Sequence, residues 1–323
     1  MVSLPHAQCP AKTTARGAPG IPVRDHCRQV AVVARALFQR LPRGLRVRLG
    51  TDPVPVAAVH DVGKVSPGFI KKYFNDWLSL KEPDLAAMPI SAFDTDHTAI
   101  GAAAVNRYLE ARFRSMPVAD IVGAHHGRGH KKVPRTDMGG TFGGSAWADE
   151  RRRLIEELIE RFGPLPAGEM TPVVRNILAG LVTVADWIGS DETFFPAGGL
   201  AAEVDPGQRA DSAVTACGLD PPRFRPGLSF QDVFNVDPYP LQTAFIQSAI
   251  EPGLYILEAP MGTGKTEAAL YAAYQLMAAG HHHGLFFGLP TRLTSDRIHE
   301  RVRAFLERVA DDDTVPALAH GQA

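Results

Sequence analysis

"AAVHDVGKVSPGF", from Ala57 to Phe69, sets a histidine and an acid side by side within an apolar stretch. Val54–Val62 reads as a short buried helix, with Gly63 as its C-cap and Lys64 just beyond. His60 and Asp61 therefore stand at the edge of a core. A buried polar group without a partner costs about 1–3 kcal/mol, so this pair needs a partner from elsewhere in the chain.

Working outward, the first two hundred residues read as a series of helices. Arg24–Leu41 carries an apolar stripe of Val30, Val33 and Leu37. Asp96–Phe113 starts at Asp96 as N-cap. Pro117–His126, Trp147–Phe162 and Thr171–Ser190 complete the set, with a glycine-rich loop at Gly127–Gly144. Helical spacing puts His26 on the stripe of Val30 and Val33, and His97 on the side of Ile100 and Ala104. His125 and His126 follow Ile121 and Val122 by one turn, and Asp186 follows Val182 in the same way. Any one of these side chains is ordinarily a hydrogen-bonded core residue. All of them together call for a common partner. Imidazole nitrogen with carboxylate oxygen suits divalent transition metals. A pair of such ions sharing a carboxylate clamps a phosphoryl group and activates water.

The order H…HD…H…HH…D resembles the HD phosphohydrolase superfamily. That resemblance implies a mainly α-helical HD-superfamily domain with two divalent transition-metal ions of the Mn, Fe, Co or Ni class. His60 and Asp61 would be the name-giving pair, with Asp61 as the bridge. His26 and Asp186 would serve the first metal, and His97, His125 and His126 the second. Lys64 has only donors and would hold a substrate phosphate, so Asp61 and Lys64 are the expected catalytic residues.

The pattern changes after a Gly-, Pro- and Asp-rich stretch at about Pro196–Pro226. Leu254–Glu258 and Leu285–Leu289 read as apolar strands, with helices at Thr266–Ala279 and about Ser295–Val309. Between the first strand and helix, "APMGTGKT" closes a Walker A motif at Gly262, Thr263, Gly264, Lys265 and Thr266. Lys265 would reach the β/γ-phosphates of ATP and Thr266 would hold Mg²⁺. Ala259 stands where the full pattern wants glycine. The form resembles superfamily 2 helicases, which implies adenine contact at Gln242 and DNA-phosphate contact at Thr291 and Arg292 in "LPTRLTSDRI". No apolar strand ends in a DExD/H box, so ATPase and helicase activity are not expected of this chain. The expected domains are 1–205, an HD nuclease domain; 206–232, a linker; and 233–323, the start of an α/β RecA-like (P-loop) domain, incomplete.

The two halves together, with "CPAKT", "HHG", "ADWIGSD" and "LAHGQA", resemble the CRISPR-associated HD nuclease-helicases of type I systems. "AKT" and "GGSAWADERRRL" are most similar to the E subtype. The resemblance implies cleavage of single-stranded DNA, the displaced strand of an R-loop opened by a Cascade-type surveillance complex. Lys131 and Lys132 lie in a basic loop directly after the histidine pair, where they would guide the DNA backbone. "HHH" at His281–His283 is expected to be exposed and inert, with no acid nearby.

Composition narrows the classes further. A formal net charge of -1 over 323 residues gives no global attraction to polyanions. Three scattered cysteines argue against a disulfide framework or a cysteine zinc site and fit a reducing cytoplasm. The most apolar run, Ile177–Ile188, is short and carries Asp186, so no membrane partner is expected. Two other functions compete: an HD-superfamily nucleotide phosphohydrolase with a regulatory P-loop, and a non-catalytic adaptor.

Overall fold

Proline and polar caps set the helix starts. The computed structural model describes residues 3–110, 117–127, 137–289 and 292–311. Its α-helices run α1 Val23–Arg40, α2 Arg43–Leu49, α3 Val54–Ala58, α4 Pro67–Lys81, α5 Pro83–Ala87, α6 His97–Glu110, α7 Pro117–Ala124, α8 Gly144–Phe162, α9 Pro172–Ser190, α10 Pro206–Ala216, α11 Phe230–Phe234, α12 Pro240–Ser248, α13 Lys265–Ala278 and α14 Arg292–Val309. Ser66 Oγ accepts from Phe69 N, and Thr171 Oγ1 accepts from Val174 N, with proline at the first helical position in both. Asp96 Oδ1 accepts from the amides of Thr98 and Ala99, as expected of the N-cap of α6.

The chain divides into two compact units: 1–40 with 48–219, and 41–47 with 220–323. In the first, α1 packs on α3, α9 and α10, while α6 packs on α7. Val30, Val33, Val56, Ile100, Ile121, Leu154, Leu178 and Val182 are buried there. In the second, α11, α13 and α14 share a core of Phe230, Val233, Leu270, Tyr274, Phe305 and Val309.

Four expectations are corrected. His60 and Asp61 do not close a helix: α3 ends at Ala58, and the pair sits in the turn before a 3-10 turn at Val62–Lys64. Gly63 is not a C-cap. A Cβ there would meet His97 O at 1.9 Å and Gly101 N at 2.4 Å, so glycine is required for close approach to α6. The stretch 206–232 is not a plain linker. α10 packs on α1, where Arg40 Nη1 donates to Asp211 Oδ1 at 2.8 Å, and Phe230 enters the core of the second unit.

The two expected strands form no ladder, and there is no strand among the described residues. Leu254, Ile256 and Phe286 are 90, 77 and 93% exposed. A strand's backbone groups need a neighbour to pair with, and these segments have none. The helical half of the P-loop unit is thus formed, while its α/β character rests on the sequence.

One helix, α9, is long and apolar enough to cross a membrane by length and composition. Its Leu178, Leu181, Val182 and Ala185 are buried against the first unit, and it carries Asp186 into that interior.

Sequence reasoning missed Arg151, the one fully buried arginine of "ERRRL". It donates to Asp137 Oδ2 at 3.1 Å and to the carbonyls of Val65, Phe142 and Asp137 at 2.9, 3.1 and 2.7 Å. This one guanidinium ties α8 to the segment leaving Asp61. Arg151→Met leaves buried Asp137 with Arg107 Nη1, 3.1 Å from its Oδ1, and strips the buried carbonyls of Val65 and Phe142 of a donor, at a cost of about 1–3 kcal/mol. Urea denaturation should show that loss; a change under about 1 kcal/mol would refute the tie.

Candidate metal centre

The centre is assembled from five places in the sequence. α1 brings His26, the turn after α3 brings His60 and Asp61, and the first residue of α6 is His97. His125 and His126 follow α7, and α9 brings Asp186. His26, His60, Asp61 and Asp186 form one group of donor atoms; His97, His125 and His126 form a second. Each group's atoms lie within 4.8 Å of one another.

Asp61 faces both groups. Its Oδ2 lies 3.1 Å from His26 Nε2 and 3.3 Å from His60 Nε2. Its Oδ1 lies 3.4 Å from His97 Nε2 and 3.5 Å from His125 Nε2. Asp186 Oδ1 lies 3.4 Å from both His26 Nε2 and His60 Nε2, and accepts from Ser190 Oγ at 3.0 Å. His97 Nε2 and His126 Nε2 approach to 3.1 Å.

The backbone fixes which imidazole nitrogens point inward. His60 Nδ1 donates to Ala57 O at 2.8 Å, and His125 Nδ1 to Val122 O at 2.6 Å. Nε2 of each is left facing the centre, the arrangement found for metal-bound histidine. Among the described residues, Nε2 of His26, His60 and His125 and both Asp61 oxygens are buried without a hydrogen bond of good geometry. Buried polar atoms are rarely left so. This converging set of imidazole and carboxylate donors fits divalent cations.

Electrostatics give the same answer. Burial opposes the charge on Asp61, yet Lys64 and His60 outweigh it and hold the carboxyl well below its usual range. Asp186 also opposes burial and is held low by His26 and His60. Burial pulls His60 down, but Asp61 and Asp186 lift it to about 10. His97 is pushed down to about 4, chiefly by burial, with Lys64, His125 and His126 adding to it against Asp61. The two carboxylates thus draw positive charge inward. Lys64 Nζ answers from 2.5 Å of Asp61 Oδ2. The sequence reading aimed Lys64 at a substrate phosphate; in the structure its partner is Asp61.

The P-loop residues lie in the second unit, where Gly262, Gly264, Lys265 and Thr266 line a cleft of about 650 Å³ with Tyr239 and Gln242. Gly264 has φ +74 and a Cβ there would meet Gln242 Nε2 at 2.2 Å, so only glycine fits. Gln242 is buried: its Oε1 accepts from Tyr239 N, and its Nε2 donates to Gly264 O, both at 2.8 Å. Lys265 Nζ folds back onto Ala259 O and Pro260 O at 2.6 and 2.8 Å. Thr291, Lys131 and Lys132 lie outside the described residues, as does the side chain of Arg292. His281 has an acid nearby after all: Glu251 Oε2 is 3.8 Å away.

The family described as "Cas3, HD domain" matches residues 11–195. The chain is 31% identical to the CRISPR-associated endonuclease/helicase Cas3 of Thermus thermophilus, over 95% of this chain and 37% of that protein. It is 29% identical to the CRISPR-associated nuclease/helicase Cas3 of Streptococcus thermophilus, over 83% of this chain and 33% of that one. The crystal structure of T. fusca Cas3-AMPPNP is similar with a TM-score of 0.77 at 25% identity, covering 98% of this chain and 39% of that one. The chain therefore spans under two fifths of the length of these relatives.

The two donor groups predict about two ions per chain. After loading with Mn²⁺ and desalting, metal analysis should find about two in the wild type and about one in His97→Ala. Asp61→Ala should hold close to none. Wild-type metal content in Asp61→Ala would overturn the shared-carboxylate reading.

Proposed function

The chain belongs to the Cas3 HD-domain family, and we propose that it cleaves single-stranded DNA by two-metal hydrolysis of the phosphodiester bond. The observation that carries this is Asp61, whose two oxygens face separate donor groups. Bound there, a pair of divalent ions would activate water and neutralise charge developing on the phosphoryl oxygens.

The chain's own residues do the rest. His26, His60 and Asp186 would hold one ion, and His97, His125 and His126 the other, with Asp61 shared between them. The carbonyls of Ala57 and Val122 orient His60 and His125. Ions sharing Asp61 would take over the charge balance that Lys64 supplies. The Lys64 ammonium would then be free to turn to a substrate phosphate. Its burial, and its place three residues after Asp61, keep that movement short.

In the second unit, we propose ATP with Mg²⁺ at the P-loop cleft. Lys265 would leave the carbonyls of Ala259 and Pro260 for the β/γ-phosphates, and Thr266 would hold Mg²⁺. Gln242 keeps one amide hydrogen and one lone pair for adenine. Named relatives are CRISPR-associated. On that support, the proposed substrate is the displaced strand of an R-loop, presented in the cytoplasm by a Cascade-type complex.

Incubation with Mn²⁺ and either circular single-stranded DNA or a panel of nucleotides tests the main reading. The circle should be cut, and Asp61→Asn should slow cutting by about a thousandfold, the equivalent of several kcal/mol of lost charge stabilisation. Phosphate released from nucleotides while DNA stays intact would instead support the phosphohydrolase alternative. Separately, wild-type chain should bind labelled ATP and Lys265→Ala should bind it at least about tenfold more weakly. Strand separation driven by ATP should not occur with this chain alone; measurable unwinding would refute that.

A further inference from the structure

Aromatic rings continue outward from the metal centre. Phe69 packs edge to face on His97, with ring centroids 5.5 Å apart. Tyr73 packs on Phe69 at 4.9 Å. The two are four residues apart on α4 and so share a face. Phe69 is only 5% exposed, whereas Tyr73 is 50% exposed. A cation accompanies each ring: Lys64 Nζ lies 5.5 Å from the Phe69 centroid, and Lys72 Nζ lies 4.9 Å from that of Tyr73.

We infer that Tyr73 is a nucleobase-stacking platform that seats the substrate strand at the mouth of the metal centre. This rests on the single-stranded DNA reading above. A lone exposed tyrosine needs no explanation. Tyr73 differs because its ring is braced by Phe69, which in turn packs on His97 of the centre. A braced ring loses little freedom when a base stacks on it, so more of the stacking energy reaches affinity. Two ring-to-ring steps separate Tyr73 from His97, a span of no more than about three nucleotides at 3.4 Å per stacked step. A base on Tyr73 therefore lies within a few nucleotides of the phosphate to be cut. Lys72 Nζ lies over the same ring, so a stacking base would displace it, and the ammonium would then meet the backbone phosphate of the stacked nucleotide. Every base has a π-face, so the platform tolerates any sequence.

Binding of the full chain to a fluorescent single-stranded 12-mer in EDTA tests this without cleavage. A matching strand with abasic sites keeps the phosphates and removes the rings. Tyr73→Ala should bind the normal strand about tenfold more weakly, and Tyr73→Phe close to wild type. All three proteins should bind the abasic strand alike. Metal content of Tyr73→Ala should match wild type, showing the centre undisturbed. Equal binding of the normal strand by Tyr73→Ala and wild type overturns the platform. So does an equal loss in Tyr73→Ala with the abasic strand, or no binding by wild type. If Tyr73→Ala weakens binding as expected but Mn²⁺-loaded wild type leaves DNA intact, the platform stands and the nuclease reading fails.

Discussion

A carboxylate buried as deeply as Asp61 must meet positive charge on both of its oxygens, because an uncompensated buried ion costs several kcal/mol. One oxygen faces His26 and His60, and the other faces His97 and His125. Lys64 supplies the nearest charge, and a raised His60 supplies the next. The helices that pack around this carboxylate, α1, α6 and α9, together with the ends of α3 and α7, each deliver a ligand to it. The electrostatic demand of one residue and the packing of the first unit are thus the same problem.

Packing in turn fixes the ligand distances. Gly63 lets the turn carrying His60 and Asp61 lie directly on the first turn of α6, where His97 sits. A side chain there would push His97 away from Asp61. From the other side, Arg151 grips the carbonyl of Val65, four residues after Asp61, and binds it to α8 and Asp137. The turn is therefore held at two points just after Asp61. That rigidity gives the centre a defined ligand geometry even though its ligands come from distant parts of the chain.

The second unit shows what a motif does without its sheet. Gly264 and Gln242 still fix the loop that opens α13, since both contacts are local to the helices. Among the described residues the apolar segments on either side of α13 pair with no strand, since ladder hydrogen bonds come only from neighbouring strands. Relatives that share this region are much longer.

The longer helices of the first unit and the side chains that converge at the centre were legible in the sequence, for physical reasons. Amphipathic periodicity is a property of neighbouring residues, and histidines on apolar faces are anomalous wherever the chain folds. α4 carried a readable signal too, the Ser66–Pro67 start, which periodicity alone passed over. What the sequence did not reveal was set by contacts between distant segments. Only the fold separates Arg151 from Arg152 and Arg153, gives Gly63 its reason, and turns Lys64 toward Asp61. It also sets the two expected donor groups against opposite oxygens of Asp61. By itself the sequence determined which atoms could bind metal and that α1, α6, α7, α8, α9, α13 and α14 would be helical, because those follow from residue chemistry and local spacing. The tertiary structure alone decided how closely the donor atoms converge and which rings pack outward from them, because those depend on how helices remote in sequence pack together.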